Sequence, residues 1–206
     1  TKMDRLQRFQ SALLVRGRIG APVTFRSKLS WVNEELERFR SNLLAYQVEL
    51  RVGLLLNVAC VYSPAWPVGR ARLDGLDLSG VKLAQNPDVW ISDLLVVGLR
   101  ETPTSSLPWI VAGDFNACET FDSWKGGPRG NREWLDRMAA LNFTECLRYS
   151  QGALTPTFRR PGKVFAHCQI DHLFVSAELK DRLISCRVES PERIYDEGLS
   201  DHLPIV

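Results

Sequence analysis

Residues 109–119 read "WIVAGDFNACE". An apolar run breaks off at Gly113, and Asp114 and Asn116 follow directly, separated by the aromatic Phe115. Two readings fit. Gly, Asp and Asn are the usual turn residues, and an Asp or Asn side chain can cap its own backbone there. Alternatively, a rigid strand end presents two oxygen ligands to a metal or a phosphate. Either way, 109–113 is a strand, and its neighbours in sequence fix the fold class.

Upstream, "SNLLAYQVEL" (41–50) and "GLLLNVACVY" (53–62) are two apolar strand candidates forming a hairpin, and "SALLVR" (11–16) reads as a short strand. The unbroken apolar character of 53–62 suggests cover on both faces. Residues 86–101, "NPDVWISDLLVVGLRE", repeat apolar residues at three- and four-residue spacing behind Pro87 and Asp88, predicting a helix. Downstream, 131–142 predicts an amphipathic helix with Trp134, Leu135, Met138 and Leu141 on one face. Strands are expected at 168–176, 186–190 and from 202 onward. Interleaved helices with hairpin-like strand pairs favour an α/β sandwich with mixed sheets over a doubly wound parallel sheet.

The 206 residues suit one domain with a real core. A chain that is 45% hydrophobic and 24% charged is not a disordered one. No apolar run approaches the ~20 residues of a membrane span, so no membrane partner is expected. The net charge of +2 selects no partner by itself, although the cations are mostly Arg, which suits bidentate phosphate contacts. Five cysteines, an odd number without a C-x-x-C pair, argue against both a disulfide framework and a zinc site. Buried free thiols and a reducing cytoplasmic compartment are expected.

Three further segments repeat the logic of the opening one. "QIDHLFVS" (169–176) sets Asp171 and His172 within a strand, and "LSDHLPIV" (199–206) sets Asp201 and His202 before one. "NVACVYSP" (57–64) delivers Asn57, Tyr62 and Ser63. An Asp inside the apolar strand 168–176 is the hardest to read as ordinary surface, since a carboxylate is rarely buried without a partner.

In order and spelling, "VYSP", "GDFN", "IDHLFVS" and "SDHLPIV" resemble the endonuclease/exonuclease/phosphatase superfamily, in its exonuclease III or AP endonuclease-like branch. The resemblance implies a four-layered α/β/β/α sandwich with two mixed, largely antiparallel sheets, as in deoxyribonucleases, over a single domain spanning 1–206. It also implies a divalent-metal-dependent phosphodiester hydrolase, most simply a nuclease. Family members begin with strands ending in a metal-binding Glu, often spelled Q-E-T-K. A chain opening Thr1-Lys2 looks as if it starts just after that Glu. On that reading the domain lacks its first strands, and metal binding and folding are impaired.

By the same resemblance, Asp114 positions or deprotonates the attacking water, and Asn116 hydrogen-bonds a phosphate oxygen. His202 contacts a non-bridging oxygen, and Asp171 orients His202 and favours its imidazolium form. Tyr62 assists at the phosphate or leaving group. Asp201, with Asp114 and Asn116, reaches the metal, expected to be Mg²⁺ or Mn²⁺ because the ligands are oxygens. Asn57, Arg129, Arg159 and Arg160 are expected at the substrate phosphates, within a wider set of basic loop residues that includes Arg70, Arg72, Arg132 and Lys163.

By the resemblance, the deoxyribonuclease and phosphatase branches carry a His after the central strand, where this chain reads "NVACVYSP". Its Tyr matches the AP and retrotransposon endonucleases instead, which tilts the substrate towards nucleic acid; a monomer is expected. The Trp-containing pattern that lines an abasic pocket in some AP endonucleases is missing from 157–167. The alternatives kept open are a phosphatase or phosphodiesterase on a lipid or small phosphoester, and a catalytically impaired fragment or binding module.

Overall fold

A computed structural model describes residues 11–102, 107–127, 129–160, 162 and 167–206. Its centre is a six-stranded sheet of order β1-β2-β3-β4-β6-β5. The strands are β1 (Arg18–Pro22), β2 (Leu43–Arg51), β3 (Leu54–Tyr62), β4 (Trp109–Asp114), β5 (Phe143–Glu145) and β6 (Asp171–Ser176). Only the β3–β4 pair is parallel, and the remaining pairs are antiparallel. The expected mixed α/β architecture is therefore present. Among the described residues, what lies outside this sheet pairs only through bridges at Phe158–Cys168, Phe158–His202 and Val188–Ile205.

The β2–β3 hairpin forms as read, turning at Val52–Gly53, where Gly53 takes a left-handed φ of 80°. Antiparallel neighbours reconnect by such a turn, but the parallel β3–β4 pair needs a crossover. That crossover carries α2 (Arg70–Leu73) and α3 (Ile91–Glu101). With α1 (Ser30–Arg38) and α4 (Asn131–Ala140) they cover one face of the sheet. Val32 and Leu36 of α1, Leu94 and Val97 of α3, and Trp134 and Met138 of α4 join Ala59, Val61 and Val111 in one apolar cluster. Each such fully buried Leu, Val or Met contributes roughly 1.5–3 kcal/mol. A smaller cluster forms around Cys146, Leu147, Val175 and Cys186, flanked by α5 (Cys146–Gln151) and α6 (Ala177–Lys180). All five cysteines are free thiols, four of them buried.

Several expected boundaries shift. Residues 11–16 form no strand; the first strand is β1, whose side chains are all exposed at the sheet edge and so carry no apolar alternation. The helix read from 86 begins at Ile91, because Asp88 N–H bonds Asn86 Oδ1 in a turn around Pro87 and Asp93 accepts the Trp90 N–H. Segments 186–190 and 202–206 pair with each other through reciprocal Arg187–Val206 bonds and Glu189 N–H to Pro204 O. Pro204 has no N–H to extend the ladder.

Candidate active site

The parallel β3–β4 pair brings two carboxyl strand ends to the same rim, with Tyr62 opposite Asp114. The antiparallel β4–β6 pair sets Asp114 opposite Asp171. Directly paired residues share a face of a sheet, and adjacent strands stand about 4.8 Å apart. Register alone therefore lines up Tyr62, Asp114 and Asp171 in one row. Gly113 makes this possible: at φ 144° it brings β4 so close to β3 that an added Cβ would sit 1.9 Å from Val61 O.

Beyond Asp114 the chain turns sharply. Asn116 adopts a left-handed φ of 49°. Its backbone N–H donates to Asp114 Oδ1 at 2.8 Å, and its Nδ2 donates to Asp114 Oδ2 at 3.0 Å and to Ser63 O at 2.8 Å. Both amide hydrogens are thereby used. The expected donation from Asn116 to a phosphate oxygen does not hold; what Asn116 can offer a ligand is Oδ1, an acceptor. Its direct role is to fix the Asp114 carboxylate.

His202 comes from a separate segment. Its Nδ1 donates to Asp171, at 2.9 Å from Oδ2 and 3.1 Å from Oδ1. Phe158 packs on the imidazole with ring centroids 4.9 Å apart. Ligand atoms of Asp114, Asp171 and His202 all lie within 4.8 Å of one another. Asp201 stands at the exposed edge, its Oδ1 4.0 Å from His202 Nε2.

Burial, then the Asp171 charge, pushes the Asp114 carboxyl up to about 7, against smaller lowering by the Asn116 N–H and the neighbouring imidazoles. The hydrogen bond to Asp171 raises His202 above its ordinary value; burial opposes this, and the Asp171, Asp114 and Asp201 charges reinforce it. Burial and the Asp114 charge raise the Tyr62 phenol. A buried rim carboxyl that holds its proton to neutrality, set beside a second carboxylate, has the chemistry of a divalent-cation site made of hard oxygen donors.

Not every expected residue is here. Asn57 lies in the middle of β3, pairing with Trp109 at the start of β4, five residues and therefore about 16 Å from Tyr62, and its Nδ2 bonds Leu107 O. It is not a phosphate ligand, because it stands away from the rim where β3 and β4 end. Arg70 pairs with Asp88, Arg72 clasps buried Glu35 through two bonds of 2.8 and 2.9 Å, and Arg132 bridges Glu119 and Asp136. These three brace the fold. Arg159 stacks over Tyr195, Arg160 lies 6.0 Å above Trp124, and Arg129 is exposed at the loop beside Asn116. None of the three has a carboxylate partner among the described residues. Lys163, Thr1 and Lys2 lie outside them.

Thr157 was not singled out in the sequence, yet it ties the two halves of the site together. Fully buried, its Oγ1 accepts the Ile170 and Asp171 N–H groups, and its carbonyl accepts the Leu203 N–H. No periodic signal marks it in "LTPTFRR".

Fold and site together define a deoxyribonuclease-like α/β hydrolase. The chain belongs to the endonuclease/exonuclease/phosphatase family, whose description matches residues 14–202. Among solved structures, an AP endonuclease from Archaeoglobus fulgidus superposes with a TM-score of 0.60 at 16% identity, covering 90% of this chain and 70% of that one. A 3′ phosphatase from Neisseria bound to a product DNA hairpin gives 0.58 at 20% identity, with the same 90% and 70% coverage. The Xenopus laevis APE2 catalytic domain gives 0.54 at 15% identity, covering 86% and 57%. No curated protein sequence matches significantly. No helix among the described residues is long and apolar enough to cross a membrane.

Proposed function

We propose that the protein is a Mg²⁺- or Mn²⁺-dependent nuclease that hydrolyses backbone phosphodiesters of DNA or RNA, acting as a monomer. The observation that carries this reading is the convergence of Asp114, Asp171 and His202 within 4.8 Å, on the rim row that also holds Tyr62. The Asp114 and Asp171 carboxylates, Asn116 Oδ1 and, from the edge, Asp201 would hold the cation. Bound there, it would neutralise charge on the phosphate and the departing oxygen. Asp114, whose carboxylate is held by both Asn116 donors, is placed to orient the attacking water for deprotonation. His202, whose proton affinity is raised first by its hydrogen bond to Asp171, would donate towards a non-bridging oxygen as negative charge builds there. Tyr62 faces the same space from β3.

Nucleic acid is favoured over a small phosphoester by Arg129, Arg159 and Arg160, cations without carboxylate partners on the flanking loops, which suit several phosphates along a backbone. The similar Neisseria structure holding a DNA hairpin supports the same choice. The test is nicking of supercoiled plasmid and cleavage of an RNA oligonucleotide with Mg²⁺ or Mn²⁺, with EDTA and inositol-phosphate controls. Metal-dependent cleavage of either polymer is expected. Phosphate release from inositol phosphates without polymer cleavage would overturn the assignment.

A further inference from the structure

His172 follows Asp171 on β6, and strand alternation turns its side chain to the opposite face of the sheet. It is 1% exposed, boxed by the rings of Phe115, Trp134 and Phe174 at centroid distances of 5.6–5.9 Å. A Leu or Phe would fill such a box, so a polar ring there needs a reason. Its Nε2 lies 2.9 Å from Ala117 O. A carbonyl only accepts, so Nε2 carries a proton and donates. Its Nδ1 lies 3.2 Å from the Gln169 amide nitrogen. Gln169 Oε1 is taken by the Thr155 N–H, which leaves Gln169 as the donor and Nδ1 as the acceptor. Glu145 Oε1 stands 3.6 Å from the same Nδ1.

Ala117 closes the turn that starts at Asp114 and runs through Asn116 in its left-handed conformation. Phe115 N–H to Ile170 O and Cys118 N–H to Asn131 Oδ1 anchor the flanks of that turn. The His172 bond pins its carbonyl end from beneath. We infer that His172 is a positioning residue for hydrolysis: through Nε2–H to Ala117 O it locks the Asn116 turn and so holds the Asp114 carboxylate in its working orientation. Adjacent residues on one strand thus serve the site from opposite faces, Asp171 holding His202 and His172 holding Asp114. The inference rests on the nuclease reading for its kinetic consequence, but not for its structural one.

His172→Phe keeps the ring volume and removes the donor, leaving a buried carbonyl unpaired. His172→Gln places an amide N–H where Nε2 stood. Expected for His172→Phe is a fall in kcat of about tenfold or more with KM nearly unchanged, and Asn116 amide exchange faster by about tenfold or more. His172→Gln should recover most of both. A kcat within about twofold of wild type, or unchanged Asn116 protection, in His172→Phe overturns the proposal. If the wild-type chain cleaves no nucleic acid, the exchange measurement alone decides, which separates failure of this inference from failure of the nuclease reading. Should His172→Phe not fold, His172→Asn, whose amide falls short of Ala117, replaces it in both measurements.

Discussion

Asp114→Asn should destroy turnover and yet stabilise the fold at neutral pH. The folded carboxyl is raised from 3.8 to about 7, chiefly by burial and then by Asp171. Each tenfold in proton affinity is worth about 1.4 kcal/mol, so full desolvation would correspond to about 4 kcal/mol, and the partial exposure of this rim reduces it to about 3. Because the folded value is the higher one, the wild-type contribution is fully present below pH 3.8 and is lost as pH rises through 7. The asparagine does not ionise and escapes that loss. It does set an amide N–H against one of the two donors of Asn116, costing about 1 kcal/mol. The variant is therefore expected to be about 2 kcal/mol more stable at pH 8 and slightly less stable at pH 4. Urea unfolding in EDTA at both pH values measures this, and Mg²⁺ should narrow the gap at pH 8 by binding the wild type preferentially. Plasmid nicking should fall by orders of magnitude. A stability difference that is the same at pH 4 and pH 8 would refute the burial of the Asp114 carboxyl beside Asp171 from which the cation site is argued.

Asp171→Asn replaces the charged acceptor that raises His202 with a neutral one, so the His202 ring protons should titrate at lower pH in NMR and the alkaline limb of the rate profile should move down; an unmoved titration sinks the pairing. Arg72→Ala should cost about 2 kcal/mol by leaving buried Glu35 only its longer contact to the exposed Arg38, while leaving the salt dependence of DNA binding unchanged. Arg160→Ala should do the reverse, lowering the salt slope by about one phosphate contact at little cost in stability. A lower slope for Arg72→Ala would reassign α2 to the substrate. Gly113→Ala should cost at least about 3 kcal/mol, since the new methyl meets Val61 backbone; a loss under about 1 kcal/mol in urea titration would show that β3 and β4 can separate there.

The hairpin 43–62, β4 and helices α3 and α4 were legible because each buries an apolar face with a strand or helix period. What escaped lacks that signature. β1 is wholly exposed at an edge, and β5 has three residues. Helix α1 carries Glu35 on its buried side, where its closest partner is Arg72 of α2, so the apolar period is broken by an ion pair that reaches across 37 residues. Asn57 shows the converse error. It lies in the same strand as Tyr62, and the sequence offers no scale on which five residues along a ladder become a distance across the molecule.

The site was legible for a different reason. Asp114 and Asp171 sit where strands end and His202 at an isolated bridge beside them, and such rims are where a rigid sheet can afford polar groups that the core excludes. Their meeting point is a matter of register, which the sequence holds only jointly, through Gly113 and the β3–β4 crossover. The holding roles were not legible because these residues look like what they are packed among: Thr157 like any loop hydroxyl and His172, though it stands beside Asp171 in its motif, like a core ring. Their function resides in a lone pair or a proton directed at one backbone group. That is why Asp171 and His202 could be picked out as candidates while Thr157, which fixes the backbone of both segments with three hydrogen bonds, could not.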